Sequence, residues 1–441
     1  MDSSEPTSQP ISHTELPGPP PETGALPHVV IVGAGFGGLE AAKALAGAPV
    51  RLTLVDRHNH HLFQPLLYQV ASATLSPADI AAPIRHILRG QANLEVLLGE
   101  VVRVDPAGRS LRLAEGRSLD FDFLILATGA SHSYFGHEDW AEHAPGLKTL
   151  EDALEIRRRF LLSFERAERE TDPALRRALL TYVVIGGGPT GVELAGTLME
   201  MARLTLPREF RHIRADRARV VLVEGGPRVL PAFAPELSEQ ARLSLARIGV
   251  EVRLGQPVTD LDAEGVTTGG ERIAARTLIW AAGVAASALG RDLGASLDRS
   301  GRIRVAPDLS LPGSAHVFVI GDLAACAQDG GVLPGMAPVA IQQGRQAAAA
   351  IRARLAGMAP APFRFHDRGM MATIGRGAAI AQWGRWQLSG GLAWFAWLFI
   401  HLMLLVGFRN RQAVFMEWLF AYLTTQRRAR LILGGPRAPG G

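Results

Sequence analysis

Short, unbroken apolar runs that end in glycine clusters set the pattern of this chain. His28-Val29-Val30-Ile31-Val32 runs into Gly33-Ala34-Gly35-Phe36-Gly37-Gly38, and Thr181-Tyr182-Val183-Val184-Ile185 runs into Gly186-Gly187-Gly188-Pro189-Thr190-Gly191. Runs of this length without polar alternation predict strands buried on both faces, each leading through a turn into a helix; the first of these helices is expected over 39–46. Second strands follow, Arg51–Val55 ending at Asp56 and Val220–Val223 ending at Glu224. Later runs close on Ala127-Thr128-Gly129 and on Ala281-Ala282-Gly283, so the two halves are internal repeats in organisation. Val317–Ile320 then runs into Gly321-Asp322, ahead of an alanine-rich helix. Between these landmarks the pattern predicts a small antiparallel excursion built from Leu94–Leu98 and Leu111–Leu113. It also predicts a charged helix over 151–170, with Arg157, Arg158 and Arg159 opposed by Glu165, Glu168 and Glu170, and a basic, helix-like insertion from Met199 to Arg219.

The fold class is α/β, with two Rossmann-type dinucleotide-binding domains, the second inserted in the first. In each glycine cluster the first glycine permits a tight turn, the second lets backbone approach a pyrophosphate, and the third lets the helix pack close to the strand. One cluster alone is weak evidence; two in strand–turn–helix context are strong. The first cluster (Gly33, Gly35, Phe36, Gly37, Gly38) is expected to hold FAD and the second (Gly186, Gly188, Gly191) NADH, with electrons passing between them. Asp56 lies a little over ~20 residues beyond Gly33, as a carboxylate that accepts from ribose hydroxyls should. Glu224 fits the same role at a longer spacing, and its charge favours NADH over NADPH, a preference that nearby Arg228 weakens. Thr128 and Gly129, and Gly283 in the repeat, bring backbone close to the dinucleotides, and Gly321-Asp322 is the turn whose aspartate binds the ribityl chain in flavoproteins of this architecture. The expected organisation is a disordered leader at 1–27, an FAD-binding domain from 28–150 and 291–364, an NADH-binding domain at 151–290, and a membrane-anchoring, helical region at 365–441.

Composition removes several alternatives. The 441 residues suffice for two or three sizeable cores, and a formal net charge of +4 with no long basic run gives no reason to expect nucleic acid. There is one cysteine, Cys326, which excludes an intramolecular disulfide and any paired-cysteine redox chemistry; it is expected to be a small buried hydrophobe. The leader has neither the basic nor the apolar segment of a secretory signal, so the protein is expected on the cytoplasmic side.

The last eighty or so residues change character. Leu392–Phe408 is apolar at the lower edge of the ~17–25 residues that cross a bilayer. Trp394 and Trp397 stand near its start, Arg409 and Arg411 follow it, and a second apolar stretch, Ala413–Thr424, ends among arginines. Such helices are expected to lie on an anionic membrane face; a buried or dimer-forming helix pair, and a true span, are the alternatives.

With these features assembled, the chain resembles the type II NADH:quinone dehydrogenases, single-chain, membrane-attached flavoproteins that do not pump protons. The most specific matches are Asn59-His60-His61-Leu62-Phe63-Gln64-Pro65-Leu66-Leu67-Tyr68-Gln69-Val70-Ala71, Met336–Gly344 and Val406–Arg411. The resemblance implies a peripheral enzyme on the cytoplasmic side of the inner or plasma membrane, with a membrane quinone as acceptor and a homodimer as one form of assembly. It implies that Ala337 lies at the flavin, that Gln342 and Gln343 face the quinone, and that Glu193, in the first turn after the second glycine cluster, orients the carboxamide or relays a proton. Pro338 replaces a glutamine of the family's quinone-side motif. A sulfide:quinone reductase would need a cysteine pair. An NADH-binding redox sensor, or a reductase with a soluble acceptor, remains the alternative that turnover with quinone would separate.

Overall fold

The computed structural model describes residues 26–433, so the leader expected over 1–27 lies almost wholly outside the described residues. The first glycine cluster closes a six-stranded sheet. Its spatial order is Ser310–Leu311, Ser314–Val319, Phe123–Leu126, His28–Val32, Arg51–Asp56 and Leu94–Leu98. All neighbours are parallel except the hairpin of Ser310–Leu311 on Ser314–Val319. The central strand is fully buried along its length, as its unbroken apolar run requires. The second cluster repeats the plan in a four-stranded parallel sheet ordered Glu251–Leu254, Arg219–Glu224, Thr181–Ile185 and Thr277–Trp280. Each sheet carries a three-stranded antiparallel excursion, one from Val101 to Asp120 and the other from Val258 to Ala274.

Leu94–Leu98 does not belong to the excursion, as its pairing with Leu111–Leu113 would need. It adds to the main sheet as an edge strand parallel to Arg51–Asp56, and Leu111–Leu113 pairs instead with Val101–Asp105. The first helix runs from Phe36 to Ala44, starting inside the glycine cluster. The charged helix spans Leu150–Arg169 behind a capping box in which the Asp152 N–H donates to Thr149 Oγ1 (3.1 Å) and the Thr149 N–H donates to the Asp152 carboxylate (2.9 Å). Its arginines do not pair with Glu165, Glu168 or Glu170. Arg158 and Arg159 reach Glu155, three and four residues away, which is the spacing that meets on a helix. Arg157 points inward and donates to the Ala429 carbonyl (2.8 Å), fastening the end of the described chain to this helix. The stretch from Met199 to Arg219 is not one helix. A π-turn at Met201–Thr205 and single 3₁₀ turns replace it, because Pro207 interrupts the hydrogen-bond ladder.

The C-terminal region opens with a sheet that the apolar pattern concealed, Met370–Gly375, Ala378–Trp383 and Trp386–Gly390 in antiparallel order. Helices Gly391–Leu404 and Phe408–Thr424 follow. The apolar run 392–408 is thus broken after Leu404, where Gly407 turns the chain at φ +89°. Among the described residues no helix is long and apolar enough to cross a membrane. Trp394 and Trp397, expected near a membrane face, are buried, and they share one core with Val414, Trp418, Phe160, Phe164 and Tyr182. The opposite helix faces leave Leu392, Phe395, Phe399, Leu404, Phe415, Met416 and Leu423 exposed.

Candidate functional site

Both glycine clusters have the geometry that a pyrophosphate needs. Gly33 sits at φ +100°, where a Cβ would stand 2.4 Å from the Ala127 carbonyl oxygen, and a Cβ on Gly38 would stand 1.8 Å from the Gly33 oxygen. Gly186 (φ +114°) and Gly191 repeat this, the latter 1.8 Å from the Gly186 oxygen. Between each pair one glycine faces open space, Gly35 in the first loop and Gly188 in the second. Each is the N-cap of its helix, Phe36–Ala44 or Pro189–Glu200, and no side chain caps either end. Two sets of first-turn N–H groups therefore lack an intrahelical partner beside an open glycine, the arrangement that binds phosphate.

The acidic partners close over these loops. Asp56 accepts from the Ala34 N–H (2.6 Å) and the His58 N–H (2.7 Å). Glu224 accepts from the Gly187 N–H and the Gly226 N–H, both at 2.6 Å. Register brings each there, since the strand it ends lies parallel beside the strand feeding the loop. Arg228 donates one N–H to the Pro231 carbonyl (2.9 Å) in the same loop.

Two further turns complete the first site. Gly129 (φ +68°) follows Thr128, whose Oγ1 is buried without a partner among the described residues. Gly321 (φ +70°) precedes Asp322, and the Asp322 carboxylate lies 3.7 Å from Lys148 Nζ. His61 adds a second orphan. Its Nδ1 meets the Ala34 carbonyl (2.9 Å) while Nε2 is buried unsatisfied, and burial lowers its pKa. Buried polar atoms without partners are rare, and two of them beside bare N–H groups, an open glycine and a turn aspartate fit FAD. One sheet and its helices carry Gly33, Gly35, Phe36, Gly37, Gly38, Asp56, Thr128, Gly129, Gly321 and Asp322, and Ala337 begins the helix that packs on the first of them. His61 and Lys148 were not singled out as ligands in the sequence, although His61 stands in one of its most specific motifs.

The helix Ala337–Leu355 crosses the first helix at close range, where a Cβ on Gly344 would stand 2.2 Å from the Gly37 oxygen. This crossing fixes both glutamines. Gln343 is not positioned to face a quinone: it is 1% exposed, and its Oε1 accepts from the Gly321 N–H (2.7 Å). It braces the flavin-side turn. Gln342 pairs with the backbone of His366 in both directions, each at 3.0 Å. Pro338, at the second helical position, needs no N–H donor there.

Glu193 is the fifth residue of its helix, in the second turn rather than the first. The helix dipole has faded by that depth, so desolvation decides, and burial pushes its carboxyl up to about 8. Its Oε1 accepts from the Thr373 N–H (3.3 Å), a contact to the C-terminal sheet. Gly283 lies in a ladder between the two repeats, where Ala130–His132 pairs antiparallel with Val284–Ala286 and the Ser133 N–H donates to the Gly283 carbonyl (3.2 Å). Cys326 is buried, and burial raises its thiol pKa.

Comparison with known proteins gives a consistent result. A family model described as pyridine nucleotide-disulphide oxidoreductase matches residues 27–344, and one described as the NDH2 C-terminal domain matches residues 367–427. The chain is 47% identical over 414 residues to the type II NADH:quinone oxidoreductase Ndh of Mycobacterium tuberculosis, covering 90% of this chain and 89% of that one. It is 29% identical over 441 residues to the internal alternative NAD(P)H-ubiquinone oxidoreductase A1 of Arabidopsis thaliana mitochondria, covering 92% and 86%. The solved NDH2 of Plasmodium falciparum in complex with NADH superposes with a TM-score of 0.84 at 19% identity, covering 92% of this chain and all of that one.

Proposed function

Because the chain belongs to the type II NADH:quinone oxidoreductase family, we infer that it oxidises NADH and reduces a quinone through bound FAD, without pumping protons. The observation that carries this reading is the duplication of the site. Two bare helix N-termini, each with an open glycine and an acidic strand end, are tied by one ladder at Ala130–His132 and Val284–Ala286. FAD, when bound, supplies the two-electron relay between nicotinamide and quinone. The N–H groups of the first helix hold its pyrophosphate, Asp56 its ribose and Asp322 its ribityl chain, while Thr128 and His61 offer their free polar atoms. Gly186, Gly188 and Gly191 hold the NADH pyrophosphate, Glu224 its ribose, and Gly283 borders the nicotinamide end. Glu193 is the candidate catalytic group. Gln342 is the candidate quinone ligand and would release a bond to His366 when it binds. The domain reading is 28–150 with 291–364 for FAD, 151–290 for NADH and 365–441 toward the membrane.

The test is anaerobic absorbance of the purified protein with one equivalent of NADH, then a short-chain quinone. Bleaching and recovery of the flavin band are expected. Bleaching without recovery would leave an NADH-linked flavoprotein with another acceptor.

Glu224 carries the preference for NADH, because its carboxylate repels a 2′-phosphate. Glu224→Gln should raise kcat/KM for NADPH by about tenfold, the equivalent of 1.4 kcal/mol of removed repulsion. Unchanged NADPH use in steady-state assays would discard that account.

The exposed face of helices Gly391–Leu404 and Phe408–Thr424 is read as the seat on an anionic membrane surface, on the cytoplasmic side. Phe395 and Phe399, each 65% exposed, should dominate that contact. The double change Phe395→Glu, Phe399→Glu should abolish flotation with anionic vesicles while NADH still bleaches the flavin. A variant that floats normally but no longer dimerises would reassign the face to a second copy of the chain.

A further inference from the structure

One tight turn is built against its own local preference. Tyr134-Phe135-Gly136-His137 is closed by the His137 N–H, which donates to the Tyr134 carbonyl (3.1 Å). Both central residues have positive φ, Phe135 at +54° and Gly136 at +95°. Such turns favour asparagine, aspartate or glycine at the first central position, because a bulky L side chain there crowds the backbone. Burial offers Phe135 little in exchange, since it is 68% exposed. The base of the turn is nevertheless firmly held. Tyr134 is buried, stacks on Trp280 with 5.0 Å between ring centroids, and donates to the Ala144 carbonyl (2.9 Å). The Trp280 Nε1–H donates to the Ser133 carbonyl (2.8 Å). The fold thus fixes a strained aromatic residue with its ring facing outward. Strain kept at so little benefit to the fold points to a partner outside the chain.

Strand order indicates which partner passes there. The NADH pyrophosphate is assigned to the loop after Thr181–Ile185, and Glu224, the ribose carboxylate, ends the neighbouring strand on one side. The adenosine half therefore belongs to that side and the nicotinamide half to the other, where the neighbour is Thr277–Trp280. Just past that strand, the Ala281 N–H donates to the Ile185 carbonyl (2.7 Å), and a Cβ on Gly186 would stand 2.5 Å from the Ala281 carbonyl oxygen. Gly283 follows two residues later, within about 7 Å along the chain. The Phe135 ring lies against it: a Cβ on Gly283 would stand 2.7 Å from Phe135 Cζ and 2.8 Å from the Ser133 oxygen. From the flavin side, Gly129 leads directly into the strand Ala130–His132 and on to this turn. Phe135 therefore stands between the nicotinamide half of one site and the flavin-side turn of the other. We propose that Phe135 contacts the substrate, its ring packing on the nicotinamide riboside of NADH to hold the ring toward the flavin and keep water from it. Val284, next in the chain and 53% exposed, extends the same apolar wall. Bound NADH covers the aromatic ring and so offsets the strain that the free protein carries.

The inference rests on the assignment of NADH to the second glycine cluster, and its test separates the two. Phe135→Asn suits the turn and removes the ring; Phe135→Tyr keeps the ring. Calorimetry follows binding of tetrahydro-NADH, which cannot give hydride, and of ADP-ribose, which lacks the nicotinamide. Stopped-flow absorbance follows flavin bleaching by NADH. Phe135→Asn should melt at a higher temperature than wild type, bind tetrahydro-NADH at least tenfold more weakly and bleach at least tenfold more slowly at limiting NADH. Its affinity for ADP-ribose should stay within twofold, and Phe135→Tyr should restore both binding and bleaching. Equal loss of both ligands would overturn the proposal, because it marks a deformed site rather than a lost ring contact. Unchanged tetrahydro-NADH binding would overturn it too, as would a lower melting temperature, which would show that the fold itself uses the ring. A wild-type protein that binds neither ligand and is not bleached by NADH would overturn the assignment of the second cluster, and the inference with it.

Discussion

Gly38→Ala should purify as folded protein with little or no flavin. Its new Cβ would stand 1.8 Å from the Gly33 oxygen, far inside the 3.0 Å below which such contacts are essentially never seen. Neither atom can yield cheaply. Gly33 is pinned through its N–H to the Val55 carbonyl (2.8 Å), and the helix carrying Gly38 is pressed by Gly344 from the other side. The helix N-terminus must move outward, taking with it the N–H groups that hold the pyrophosphate. Each 1.4 kcal/mol lost in those contacts is about tenfold in affinity, so even a small displacement empties the site at working concentrations. The ratio of flavin to protein absorbance reads the effect directly. Gly191→Ala makes the same clash with the Gly186 oxygen and should keep the flavin but lose its bleaching by NADH. A Gly38→Ala protein that retains its flavin would mean that the dinucleotide is held elsewhere.

Glu193→Gln should lower quinone-dependent turnover by about a hundredfold, the lower range for removal of a general acid–base group. The same substitution should raise stability at alkaline pH. In the unfolded chain this carboxyl ionises above its ordinary value of 4.5, whereas in the fold it keeps its proton up to about 8. The stability present below 4.5 is therefore lost as the pH rises through that window, on the order of 5 kcal/mol in all at about 1.4 kcal/mol per pH unit. Glutamine cannot ionise and escapes the loss. Its melting temperature should match that of wild type near pH 5, pull ahead as the pH rises, and reach its full advantage by about pH 8. A variant with wild-type turnover and an unchanged melting profile would show that Glu193 is neither buried as described nor part of the chemistry.

The strands and loops that bind dinucleotides were legible in the chain because their signals are local. An apolar run, three glycines and an acidic strand end fall within a few dozen residues, and backbone geometry forces their meaning. Asp56 and Glu224 were placed at strand ends beside the glycine loops this way, and both stand there. What escaped depends on contacts between distant segments. Leu94–Leu98 was assigned to the wrong sheet, because an apolar run does not state its partner. Trp394 and Trp397 read as boundary residues, although a core residue has the same composition; their burial beside Tyr422 and Trp418 depends on how two helices pack together. Gln343 was grouped with Gln342, yet adjacent helical positions point about 100° apart, and one turned toward Gly321 while the other turned toward His366. Position within the helix also decided Glu193. Counting from the glycine cluster puts it in the first turn, but the helix starts at Pro189, and one further turn was enough for burial to prevail over the dipole.

The contact of Gly37 with Gly344 also bears on how the protein is made. The flavin-side sheet lacks its strand Ser314–Val319, and its first helix lacks its partner, until about residue 355 has left the ribosome. The four strands of the second sheet all lie between 181 and 280, so that unit can assemble first during synthesis. Meanwhile the N-terminal segment waits as an incomplete half with exposed strand edges. Flavin loading is thus expected only after this crossing forms, and chains truncated before it should emerge as flavin-free, aggregation-prone products.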